Sequence, residues 1–126
     1  MNSPNSTAVD ELPALHGHTL GFFDSSEACE TMTRALIQAG FPSSTILVFQ
    51  GPEGIPLLTH LMKGFQWGES AETALRQGTV ELTLGHSAVC VQVDGAVAAT
   101  TVANLSTQLG GHSVYHFGMM IDTQLT

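Results

Sequence analysis

Positive charge is nearly missing from this chain. Arg34, Lys63 and Arg76 stand against eleven Asp and Glu, for a formal net charge of −8. That balance repels a phosphate backbone and an anionic membrane surface, so neither nucleic acid nor a membrane is expected as a partner. Charge of either sign is scarce: 11% of residues are charged, against about 25% in an average globular protein. With 43% of residues apolar, so thin a charged coat implies that much of the surface meets other residues rather than water, which favours a homo-oligomer. Cysteine is limited to Cys29 and Cys90, with no close spacing between them. Two such thiols exclude a disulfide framework and a paired redox motif, and read as small core residues. No apolar run reaches membrane-spanning length, and the opening MNSPNSTAVDELPAL carries neither the basic residues nor the apolar stretch of a secretory signal. The expected location is cytoplasmic.

What is present is the material of one domain. The chain has 126 residues, a length at which about two-thirds of the unfolded chain's surface is buried on folding. Residues 1–14, rich in Asn, Ser and Pro without a period, read as a mobile leader, and 15–126 as the folded unit. HTLGFF reads as a strand and DSSEACETMTRALIQAG as a helix, with Asp24 as N-cap, Glu27 completing a capping box and Gly40 as the stop. Ala28, Cys29, Met32, Ala35, Leu36 and Ala39 form its apolar stripe, and TILVF is the next strand. The plan then recurs in SAVCVQV, DGAVAATTVANLSTQLG and HSVYHFGMMI, where Asp94 to Gly110 repeats the span from Asp24 to Gly40. We read an internal duplication, with halves at about 16–50 and 87–122 and an insert over 51–86. Two such halves predict an α+β ferredoxin-like sandwich: a four-stranded antiparallel sheet with two helices on one face. In the insert, Ile55 to Met62 and Ser70 to Gln77 read as helical, with Gly64, Gly68, Gly78 and Gly85 as breaks; Thr79 to Leu84 fits a strand or a last helical turn.

The FFDSSEACETMTRALIQAGFPSSTILVF block and the close ending GGHSVYHFG resemble small bacterial proteins of unknown function with a duplicated ferredoxin-like core, some of them labelled general stress proteins. The likeness covers roughly residues 18–50 and 70–120. It implies the fold and a cytosolic setting, and carries over no catalytic residues. The long Gly-rich insert of some members is absent here.

Candidate chemistry rests on histidine. His16 and His18, two apart on an extended segment, point the same way with roots about 6.6 Å apart, close enough to chelate, and His60 or His86 in the insert would supply a third metal ligand beside Trp67. His112 and His116, four apart on a strand, are expected on one face about 13 Å apart, too far to share an ion. His116 then reads as structural, and His112, after the Gly-Gly turn, as solvent-facing and dispensable. GPEG, residues 51–54, lacks the lysine and spacing of a phosphate loop and reads as a turn. Without a nucleophile elbow, and with both thiols in core patterns, an enzyme is the least supported class.

Strand parity places Val89, Val91 and Val93 toward the helices and Leu20, Phe22, Ala88 and Cys90 on the opposite sheet face. An apolar face of that size must be covered by the insert or by a second chain. The leading expectation is a non-enzymatic regulatory, assembly or stress-related module, self-associating through that face or the TILVF edge, with a small-molecule ligand at the subunit interface. The alternative is a metal or cofactor binder using the histidines.

Overall fold

Two seven-residue strands form the centre of the sheet. Strand β1 (Gly17–Phe23) lies antiparallel to β3 (Ser87–Val93), with Leu20 opposite Cys90 and Phe22 opposite Ala88. Nearly every side chain of both strands is buried, the polar His18, Thr19 and Ser87 included, because helices cover both faces of the sheet. Strand β2 (Ile46–Gln50) flanks β3, β4 (His112–Phe117) flanks β1, and the short β5 (Asp122–Gln124) extends the sheet beyond β4. The order is β2-β3-β1-β4-β5, every neighbouring pair antiparallel. The computed structural model describes residues 17–63, 69–117 and 122–124. The leader expected over 1–14, His16 and Trp67 lie outside these.

Among the described residues, four α-helices cover this antiparallel sheet in a mixed α+β fold. Helices α1 (Ser26–Gln38) and α4 (Ala96–Gln108) occupy one face, and Cys29, Met32, Leu36, Ala99 and Val102 pack on Phe23 and the three valines of β3. Helices α2 (Ile55–Lys63) and α3 (Glu69–Thr83) occupy the other, where Leu58, Leu61, Met62, Ala74 and Leu82 meet Leu20, Phe22, Ala88 and Cys90. Of the two ways to cover that face, the insert is the one the fold uses. A fully buried Phe or Leu contributes about 1.5–3 kcal/mol relative to exposure, so this second layer is a major part of the core rather than a decoration on it. Burial pushes the Cys29 thiol up to about 11 and the Cys90 thiol up to about 12, so both are inert.

Three local expectations change. The cap of α1 is Ser25, whose Oγ accepts from the Ala28 N–H at 3.1 Å; Asp24, one residue earlier, is left for other contacts. The cap position of α4 is Gly95, with no side-chain bond, so Asp94, the counterpart of Asp24 in the repeat, does not cap its helix either. Thr79 to Thr83 is helical, because α3 runs through Gly78 without a break. A Cβ at Gly78 would collide with a methyl of Leu58 and touch the Phe22 ring. The glycine therefore permits close approach of α3 to α2 and the sheet rather than ending the helix.

Candidate histidine-carboxylate site

The site begins with how α3 ends. Gly85 takes φ +88, the Gly85 N–H bonds to the Leu82 carbonyl at 3.0 Å, and the His86 N–H reaches back to the Glu81 carbonyl at 3.0 Å. This is a Schellman stop, which brings the residue after the glycine over the residue five earlier. The pair so joined is usually apolar. Here it is Glu81 and His86, and Glu81 Oε1 lies 2.7 Å from His86 Nδ1. The bond from Gly51 N–H to the His86 carbonyl, 3.0 Å, ties the same point to the end of β2.

His112 arrives through a second stop of the same kind. Gly110 takes φ +92 at the end of α4 and the Gly111 N–H bonds to the Ser106 carbonyl, so the chain turns directly into β4. An irregularity follows. Leu20 pairs with Tyr115 but Phe22 pairs with His112, so β4 carries one extra residue there, and Ser113 sits at φ 51. Such a bulge re-aims the side chain beside it. His112 is thereby turned onto the Phe22 and Tyr115 face, with its ring centroid 6.3 Å from that of Phe22, and its Nε2 lies 2.6 Å from Glu81 Oε2. His116 stays on the opposite face, bonded through Nδ1 to Thr19 Oγ1 at 3.1 Å. The two histidines therefore do not share a face, and His112 is half-buried and bonded rather than free in solvent.

Glu81 is the centre of the arrangement. Its side chain is 11% exposed, and it accepts a third bond from Gln77 Nε2 at 3.2 Å, while Gln77 Oε1 accepts from the Tyr115 hydroxyl at 2.8 Å. Burial alone pushes its carboxyl up. The hydrogen bonds from His86, His112 and Gln77 together outweigh that, and the carboxyl falls below its ordinary 4.5. An ionised carboxylate has no proton to give, so both imidazoles must donate: His86 carries its proton on Nδ1 and His112 on Nε2. Asp24, just past the end of β1 and 75% exposed, completes the group, its Oδ1 3.8 Å from His86 Nδ1 and 3.7 Å from His112 Nδ1. Among the described residues, the ionisable partners of these two carboxylates are imidazoles, and ligand atoms of Asp24, Glu81 and His112 lie within 4.8 Å of one another.

Of the histidines read as metal ligands, only His86 is found here. His18 is buried in β1 between Gln92 and Phe117, His60 is exposed on α2, and His16 is outside the described residues. Neither His18 nor His60 belongs to the ligand group of Asp24, Glu81 and His112. GPEG forms a short 3₁₀ turn, Pro52–Gly54, after Gly51 at φ 64. Of the four side chains the sequence pattern points to His86 alone: Asp24 reads there as a helix cap, Glu81 lies in the stretch that fits a strand or a last helical turn, and His112 reads as solvent-facing. No family model matches the chain, and no curated protein or solved structure gives a match. None of the described helices is long and apolar enough to cross a membrane.

Proposed function

We propose that this chain is a ferredoxin-like, non-enzymatic module that binds a divalent transition-metal ion at the Asp24, Glu81, His86 and His112 cluster. One observation carries the reading: two imidazoles and two carboxylates, delivered by the ends of β1 and α3 and the starts of β3 and β4, meet at one end of the sheet around a nearly buried glutamate. Imidazole and carboxylate together suit zinc, nickel, cobalt and iron, and among the described residues no Lys or Arg pairs with these carboxylates to compete with the ion. The four long strands in the order β2-β3-β1-β4, with crossover helices α1 and α4, support the ferredoxin-like assignment. So does the repeat: the same spacing separates Gly17 from Ser87, Ser26 from Ala96 and Gly40 from Gly110. Kinship with duplicated bacterial stress-type proteins belongs to the same proposal and adds no chemistry to it. Self-association through the open sheet face loses its ground, since α2 and α3 fill that face.

The test is native mass spectrometry of full-length protein titrated with zinc, nickel and cobalt. The expected spectrum gains one ion per chain, and His112→Ala and Asp24→Asn lose it. A wild-type protein that takes up none of the three ions at a hundred micromolar overturns the proposal. The same spectrum reads subunit number.

A further inference from the structure

The four side chains do not stand in equivalent positions. Two ligand atoms about 2.1 Å from one ion, at the angles of tetrahedral or octahedral coordination, are roughly 3.0–3.4 Å apart. Glu81 Oε2 and His112 Nε2 are 2.6 Å apart, and Glu81 Oε1 and His86 Nδ1 are 2.7 Å apart. Both are hydrogen-bond distances, and neither gap admits an ion without being opened. Because both oxygens of Glu81 are engaged, the carboxylate cannot turn toward an ion without giving up one imidazole. The gap between His112 Nδ1 and Asp24 Oδ1 is different. At 3.7 Å it is too long for a hydrogen bond, and a closure of about 0.3 Å brings it to the separation of two ligands on a tetrahedral ion.

Resting on the metal reading above, the geometry points to a division of labour: the ion is held by His112 Nδ1 and Asp24 Oδ1, while Glu81 is a positioning residue that accepts a hydrogen bond from the His112 Nε2–H. A metal-bound histidine ordinarily donates its other ring N–H to a carboxylate, which fixes the tautomer and makes the coordinating nitrogen more basic. Glu81 does this from a nearly buried position, and His86 holds its second oxygen so that it cannot rotate. The bulge at Ser113 turns His112 into the gap between the two carboxylates, with one ring nitrogen toward each. Asp24 is exposed, so solvent is available to complete the coordination shell.

Protein carrying ¹⁵N-labelled histidine and loaded with zinc or ¹¹³Cd separates the roles by long-range ¹H–¹⁵N correlation. The expected result is metal coupling or a coordination shift at His112 Nδ1, with Nε2 still protonated. In metal titrations Glu81→Gln should weaken binding by about 10–100-fold without abolishing it, and should release the tautomer preference of His112 in metal-free protein, a change that a merely structural role would not produce. Asp24→Asn should lose more affinity than Glu81→Gln. Coordination through His112 Nε2, or a Glu81→Gln variant as inactive in binding as His112→Ala, overturns the assignment while leaving the metal reading intact. A wild-type protein that binds neither ion overturns both.

Discussion

Glu81 shows how one residue's environment is set by competing effects of opposite sign. Removing a carboxylate from water favours its neutral form, and three donors aimed at it favour the charged form; here the donors win. Because its folded-state pKa lies below the ordinary 4.5, its contribution to stability is present above that value and is lost as pH falls through the lowered one. Wild-type protein should therefore lose stability on acidification below about 4.5 with a slope that Glu81→Gln reduces, as read by urea melts across pH. Glu81→Ala should cost about 1.5–3 kcal/mol at neutral pH, the range for hydrogen bonds to a charged group. His116 behaves in the other pH range. Burial pushes its imidazole below the ordinary 6.5 by disfavouring the charged ring. Stability is then present above 6.5 and lost as pH drops from there, because the unfolded chain takes up the proton first. His116→Gln should flatten that part of the profile, and an unchanged slope between pH 7 and 5 would show that the ring is not desolvated.

At the scale of single elements, the helix phase and the strand stops are the parts most directly tied to residue type. Leu36 is fully buried on α1 and Ile37, its neighbour, is 49% exposed, so Leu36→Ala should cost about 2–5 kcal/mol and Ile37→Ala much less. Equal losses in denaturant melts would refute that packing. Ser113 at φ 51 is a position where a β-branched side chain is strained; Ser113→Val should cost about 1–3 kcal/mol and Ser113→Gly little or nothing. These elements also show what was legible in advance. The stripe of α1, the parity of β1 and β3, and the stops at Gly40 and Gly110 follow from periodicity and from glycine's access to positive φ, which are local rules. The Glu81 and His86 pair was legible in principle, since a glycine stop brings residues five apart together, but Thr79 to Leu84 alternates like a strand and its helical state depends on burying Leu82 under the sheet. Asp24 and Ser25 are both good caps, and nothing local says which will serve. The face of His112 was not legible at all, because a bulge reverses parity and arises only when β4 is laid against β1.

For the molecule as a whole, the low charge and the covered sheet face have to be read together. Eleven carboxylates and three cations leave a net charge of −8, which favours solubility through repulsion between chains. The apolar sheet face formed by Leu20, Phe22, Ala88 and Cys90 is closed by α2 and α3 and by the near contact at Gly78. The closure depends on a short helix: α2 has nine residues, too few to be stable alone in water, so its fold is held by the apolar side chains it inserts. Leu58, fully buried between the sheet and Gly78, is the side chain on which that layer turns. Leu58→Ala should cost about 2–5 kcal/mol. Because it loosens a cover rather than the α1 and α4 layer, it should also bind a hydrophobic dye and, in light scattering, gain mass with concentration relative to wild-type protein under the same conditions. Leu36→Ala, equally buried but on the other layer, is the control. If both variants unfold in one transition without dye binding or association, the insert is not a separable cover, and the two layers form a single cooperative core.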